Sequence, residues 1–289
     1  MSGITLAGMW MCGALISFLT MAIAGRELSA ELNTFQILFF RSIIGLLIVS
    51  LILSRFGWQQ VRTRQLRLHI VRNITHYVGQ FGWFFAISMI PLAQVFAIEF
   101  TIPIWTAVLA PFLLGERLTP ARALVIAIGF AGILVILRPG MVPFEVGAIS
   151  ALIAAIGYAL SHTLTKKITR TDTPLAVIFY MTVIQLPMGA VPSFLDWTTP
   201  SLAMTPWLVM VGGTALSAHY CMARAFAHAD AMVVVPMDFL RLPMVALLGL
   251  TFYDEPLDPW VLAGAVVIFV AIILNVVFER RAVRQSAES

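Results

Sequence analysis

Apolar residues fall in ten nearly unbroken stretches of about 18–22 residues, at 4–24, 33–54, 68–88, 93–114, 121–138, 146–165, 174–194, 206–226, 232–252 and 259–278. At 1.5 Å rise per residue, such a stretch spans the ~30 Å hydrocarbon core of a bilayer. The runs are continuous and do not alternate apolar with polar, so they predict helices and exclude a membrane barrel. The predicted fold is an all-α polytopic membrane protein with ten transmembrane helices. Ala22-Ile23-Ala24 looks like a leader cleavage site, but no basic segment precedes the first run and that run is too long, so it is expected to be a retained helix.

Composition agrees with the pattern. Of 289 residues, 60% are hydrophobic and 11% charged, with a mean hydropathy of +0.95. A soluble domain carries roughly a quarter charged residues. The charges cluster in the connectors. With both ends cytoplasmic, the inside collects Arg55, Arg62, Arg64, Arg67, Arg117, Arg122, Lys166, Lys167, Arg170, Arg280, Arg281 and Arg284, and the outside only Arg26 and Arg138. That asymmetry predicts N-in and C-in topology. It also accounts for the net charge of +4 without a nucleic-acid partner. Cys12 and Cys221 form neither a disulfide framework nor a metal-ligand spacing.

The chain repeats itself. A step of 139 residues carries Gly8 to Gly147, Thr34 to Thr173, Phe40 to Phe179, Glu99 to Asp238, Phe100 to Phe239 and Glu116 to Glu255, with a one-residue slip that aligns Pro103 with Pro243. This period predicts a duplicated five-helix unit, at 1–138 and 146–278, followed by a cytoplasmic tail at 279–289. Because five is odd, the second unit must enter the membrane upside down. Two inverted five-helix repeats are an architecture of secondary transporters, with substrate held near the midplane.

Few ionisable groups lie inside the runs. Arg72 and Arg224 lie near cytoplasmic ends and can snorkel. Arg41 and Arg241 sit eight or nine residues in, ~12–14 Å deep. Glu99 and Asp238 are each ~9 Å from their own surface, on opposite sides of the midplane. A buried carboxylate is costly unless paired, protonated or wet, so both are candidates for proton coupling, as is His162, whose ordinary pKa is near neutrality. Asp238 and Arg241, at i and i+3, are placed to pair. Arg41 offers a planar fork for carboxylate or phosphate; the alternative is that it neutralises Glu99. Its repeat equivalent, Tyr180, offers stacking area and a hydroxyl, an asymmetry suited to an asymmetric substrate. His76, Gln80 and Trp83 share a helical face, as do Tyr158 and His162, and His219 lies on the eighth run. Candidate substrate contacts are therefore Arg41, His76, Trp83, Tyr158, Tyr180, His219 and Arg241. Glu116, Glu255, Pro103 and Pro243 are expected to be structural, the two glutamates stabilised beside the N-terminus of the helix that follows each.

No nucleotide-binding P-loop, zinc motif or nucleophile elbow occurs. No cofactor or metal is expected, and energy must come from a gradient or exchange. Phe39-Phe40-Arg41, and Pro103 ahead of Gly115-Glu116-Arg117-Leu118 with its weaker copy Asp254-Glu255-Pro256-Leu257, resemble the EamA-type drug/metabolite transporters over nearly the whole chain. Leu68-His69-Ile70-Val71-Arg72 and Pro236-Met237-Asp238-Phe239-Leu240-Arg241 are similar to a bacterial group within it that includes S-adenosylmethionine and riboflavin carriers. The resemblance implies an inner-membrane carrier for a small metabolite, proton-linked or exchanging. The expected partners are a small polar or zwitterionic metabolite and the lipid bilayer, a homodimer being compatible. The alternatives are a membrane-embedded enzyme for a lipid-linked substrate and a passive channel.

Overall fold

The computed structural model describes residues 3–114, 119–141, 145–229 and 231–288. They form twelve helices: α1 (Gly3–Leu28), α2 (Thr34–Phe56), α3 (Leu66–Met89), α4 (Leu92–Glu99), α5 (Ile102–Leu114), α6 (Pro120–Leu137), α7 (Val146–Ile168), α8 (Pro174–Leu195), α9 (Thr205–His228), α10 (Ala231–Phe239), α11 (Arg241–Phe252) and α12 (Pro259–Glu288). Glu116 and the turn around it lie outside the described residues. Among the described residues, eight stretches are long and apolar enough to cross a membrane. Helices α3 and α9 have comparable length, 24 residues each, but are diluted by residues such as His69, Arg72, Asn73, His76 and Gln80 on α3 and His219 and Arg224 on α9.

Helix starts follow local chemistry. Asn33 accepts a hydrogen bond from the Gln36 N–H at 3.0 Å and so caps α2, and Thr173 caps α8 from the equivalent position with Pro174 behind it.

Two of the expected continuous runs are interrupted. The run at 93–114 is divided into α4 and α5, and the run at 232–252 into α10 and α11. A proline stands just beyond each break and contributes to it. A proline ring collides with the carbonyl four residues back and offers no N–H to it. Four residues before Pro103 stands Glu99, the last residue of α4; four before Pro243 stands Phe239, the last of α10. The first break is patched by Thr101, whose hydroxyl donates to the Ile98 carbonyl at 2.6 Å and accepts from Trp105 Nε1 at 3.1 Å.

The helices pack in antiparallel pairs: α1 with α9, α3 with α7, α2 with α8 and α6 with α12. Ser17 bonds Ser217 at 2.8 Å across the first pair, and Arg72 bonds Thr165 at 3.0 Å across the second. In the fourth pair two glycines face each other. A Cβ on Gly132 would stand 2.9 Å from the Gly264 carbonyl, and one on Gly264 would stand 2.7 Å from that of Gly132. Only glycine permits that approach, the small-residue packing that helices use in lipid. Between these pairs the two interrupted helices meet in the interior, where Phe100 lies 4.7 Å from Phe239, ring centre to ring centre.

Candidate functional site

A cavity of about 330 Å³ opens where the helix breaks meet. Nine of the ten candidate contact and proton-coupling residues line it: Arg41 from α2, His76 and Trp83 from α3, Glu99 from α4, Tyr158 and His162 from α7, His219 from α9, Asp238 from α10 and Arg241 from α11. Pro103 and Gln80 line it too, with an apolar wall that includes Phe18, Met21, Phe84, Phe100, Phe239 and Ile272.

Arg241 is the hub. Its guanidinium donates to Asp238 Oδ2 at 2.9 Å and to Glu99 Oε1 at 3.2 Å, and it lies 4.4 Å from the Phe18 ring centre and 5.0 Å from that of Phe100. Glu99 also accepts from Trp83 Nε1 at 2.7 Å. The two acids expected on opposite sides of the midplane thus converge on one side chain. The two helices stop at or beside these residues, which turns the two carboxylates toward each other. Glu99 is neutralised from α11, and Arg41 takes no part in it.

Arg41 is 6% exposed, and among the described residues no hydrogen bond or ion pair reaches it. Its Nε is buried without a partner, as are Gln80 Oε1 and Asp238 Oδ1. A cation and two acceptors on residues that line the cavity thus each keep one buried polar atom without a partner, a costly arrangement unless a change in the site or a bound molecule completes it. His76 stands edge-on to Tyr158 at 5.4 Å, and His219 edge-on to Phe18 at 5.7 Å.

Tyr180 does not belong to this group. Its hydroxyl donates to the Val61 carbonyl at 3.0 Å and its ring lies 4.5 Å from that of His69. There it joins Asp172, whose carboxylate lies 2.9 Å from His69 Nε2. Burial raises the Asp172 pKa, but hydrogen bonds from Thr63, His69 and Thr171 outweigh it and hold the carboxyl below its ordinary value. Repeat arithmetic equated Tyr180 with Arg41 in register but could not say which face of α8 it occupies. Tyr77 likewise turns away, its hydroxyl donating to the Met188 carbonyl at 3.2 Å.

The two ends of the molecule differ. Toward one, the cavity borders a second space through Ile102, Pro103 and His162, reaching Arg122 and Lys166. Toward the other, beyond Met21 and Phe84 along their helices, Arg26 at the end of α1 donates to Glu255 Oε1 at 2.7 Å and to the Ile90 carbonyl at 2.8 Å. Glu255 Oε2 accepts from the Leu92 N–H at 2.8 Å. Glu255 thus sits at the N-terminus of α4, not of the helix that follows it. Asp258 serves α12 instead, accepting from the Trp260 N–H at 2.9 Å and pairing with Arg138. In the sequence Arg26 reads only as a topology marker, because its pairing with a residue so distant leaves no local signal.

The profile of the EamA-like transporter family matches the chain twice, over residues 5–138 and 145–277. The chain belongs to the EamA-like transporter family. As an EamA-type protein it is a multi-pass membrane transporter and not an enzyme. It is 31% identical over 219 residues to a riboflavin transporter of Brucella anthropi, covering 74% of this chain and 77% of that one. It is 25% identical over 273 residues to an S-adenosylmethionine uptake transporter of Rickettsia bellii, covering 94% of each, and 26% identical over 275 residues to a pseudopaline exporter of Pseudomonas aeruginosa, covering 94% and 95%. A solved crystal structure shares the fold, with a TM-score of 0.66 over 96% of this chain and 98% of that one, at 18% identity.

Proposed function

We propose that this chain is a secondary active transporter that carries a small polar or zwitterionic metabolite with an aromatic or heterocyclic part across the bacterial inner membrane by alternating access. The unpartnered groups of the cavity carry this function. Arg41 offers a cation for a carboxylate or phosphate, while Asp238 Oδ1 and Gln80 Oε1 await a donor such as an ammonium. The histidines, Tyr158 and the phenylalanine wall suit a flat ring between them. Relatives named for S-adenosylmethionine and riboflavin make those two compounds the first to test.

The architecture proposed is ten crossings in two inverted repeats, at 1–138 and 146–278, with 279–289 as a tail. Helices α4 and α5 together make one crossing, as do α10 and α11. The pairing supports it: exchanging each helix with its counterpart in the other repeat turns α1·α9 into α7·α3 and leaves α2·α8 and α6·α12 unchanged. Termini are cytoplasmic by the distribution of basic residues. Arg26, Glu255 and the Leu92 N–H then latch the outer end while the cavity leads inward. Glu99, Asp238 and His162 are the groups proposed to couple substrate movement to protons.

Purified protein is screened by thermal shift against S-adenosylmethionine, riboflavin and related metabolites, and a stabilising compound is followed in proteoliposomes. Saturable counterflow is expected, with Arg41→Ala raising KM about ten- to hundredfold through the lost charge-assisted bonds. Non-saturable flux, or an unchanged KM in that variant, overturns the assignment. In the same assay Glu99→Gln, Asp238→Asn and His162→Gln, singly and combined, should abolish the pH dependence of net flux and spare exchange. Unchanged pH dependence throughout removes the coupling role.

A further inference from the structure

Gln185, on α8, is 1% exposed and lies behind the cavity wall. Its Nε2 is 3.2 Å from the Asn73 backbone carbonyl and 3.1 Å from His76 Nδ1. A backbone carbonyl can only accept, so the atom of the Gln185 amide that faces it is the NH₂ group, which can only donate. The two hydrogens of that group then serve the two neighbours. His76 Nδ1 must accept, and the neutral ring carries its proton on Nε2. The frame around the amide is itself fixed. The Asn73 side chain donates to the His69 carbonyl at 2.8 Å and accepts from Arg72 at 2.7 Å. His76 is 2% exposed, and among the described residues the Gln185 amide is its one hydrogen-bond partner, so Nε2 meets none on the protein.

We propose that Gln185 is a positioning residue that locks His76 as the Nε2–H tautomer, so that the cavity presents a one-way donor at this point. Resting on the transport reading above, this deepens the substrate class: the molecule carries a hydrogen-bond acceptor on its ring, a carbonyl oxygen or an unprotonated ring nitrogen, at the His76 side. A ring edge made only of donors is refused, because N–H would face N–H and leave His76 unsatisfied.

The test begins on the protein alone. Histidine-¹⁵N-labelled protein in nanodiscs is compared with His76→Gln, which assigns the His76 nitrogens, and with Gln185→Leu and Gln185→Glu. Wild type should show an unprotonated Nδ1 and a protonated Nε2. Gln185→Leu should average the two tautomers, and Gln185→Glu, whose carboxylate can only accept, should move the proton to Nδ1. His162 and His219 should keep their signals in both variants, which a general structural loss would not allow. A wild-type His76 protonated at Nδ1, or a pattern unchanged in both variants, overturns the lock. This arm holds or fails whatever the transport assay returns. With S-adenosylmethionine and riboflavin as counterflow probes, Gln185→Leu should raise KM about three- to tenfold, the worth of one hydrogen bond, with the maximal rate within about twofold. An unchanged KM for a probe that wild type carries overturns the recognition role.

Discussion

Arg241 ties several interior elements together, because one guanidinium serves two carboxylates and stacks among phenylalanines. Removing one partner of a buried ion pair typically costs ~3–5 kcal/mol, since the other charge is left unpaired. Arg241→Met should therefore lower the thermal unfolding midpoint sharply, and Arg241→Lys by less, an ammonium keeping the charge but not the planar fork. Equal midpoints for Arg241→Met and wild type in detergent would contradict the ion-pair geometry. At this scale the sequence showed a good deal: Glu99, Asp238, Arg41 and Arg241 stand out because ionisable groups in apolar runs are rare. Phe18 and Met21 could not be found this way, since an apolar residue in an apolar run carries no mark of which face it occupies. Gln185 was equally silent, its role depending on a helix more than a hundred residues away.

Among the helices, the two interruptions matter most, because each ends where a carboxylate enters the cavity. The run lengths predicted where helices lie but not that two would break. Proline alone does not decide it, for Pro111 lies within α5 and Pro236 within α10 without ending either. What distinguishes Pro103 is the neighbourhood, where Thr101 and Trp105 take up the disrupted bonding. Pro103→Ala restores an N–H and relieves a clash worth ~3 kcal/mol in an ordinary helix. The variant should unfold at or above the wild-type midpoint yet lose at least about tenfold in counterflow, because a straightened helix turns Glu99 away from Arg241. Full flux with raised stability would show the break to be incidental.

For the molecule as a whole, the 139-residue repeat made the equivalences of the two halves readable, while contacts between the halves were not. The Arg26–Glu255 latch is such a contact. Glu255→Gln keeps the shape but removes the charge, so in the topology proposed above this end, the outer one, should open more often. With Met21→Cys in a Cys12→Ser, Cys221→Ser background, a membrane-impermeant thiol reagent added outside should react about fivefold faster, the equivalent of ~1 kcal/mol. An unchanged rate would refute the latch. The Gly132–Gly264 contact bears on the form any such opening takes. Each backbone sits in a notch of the other, and sliding α6 along α12 by one residue would drive Ile136 or Ile268 into the space of the glycines. Piston motion is blocked, but turning about the contact is not. For the alternating access proposed above, the last helices of the two halves would then serve as a pivot, about which the cavity would gape at either end without the halves losing their register.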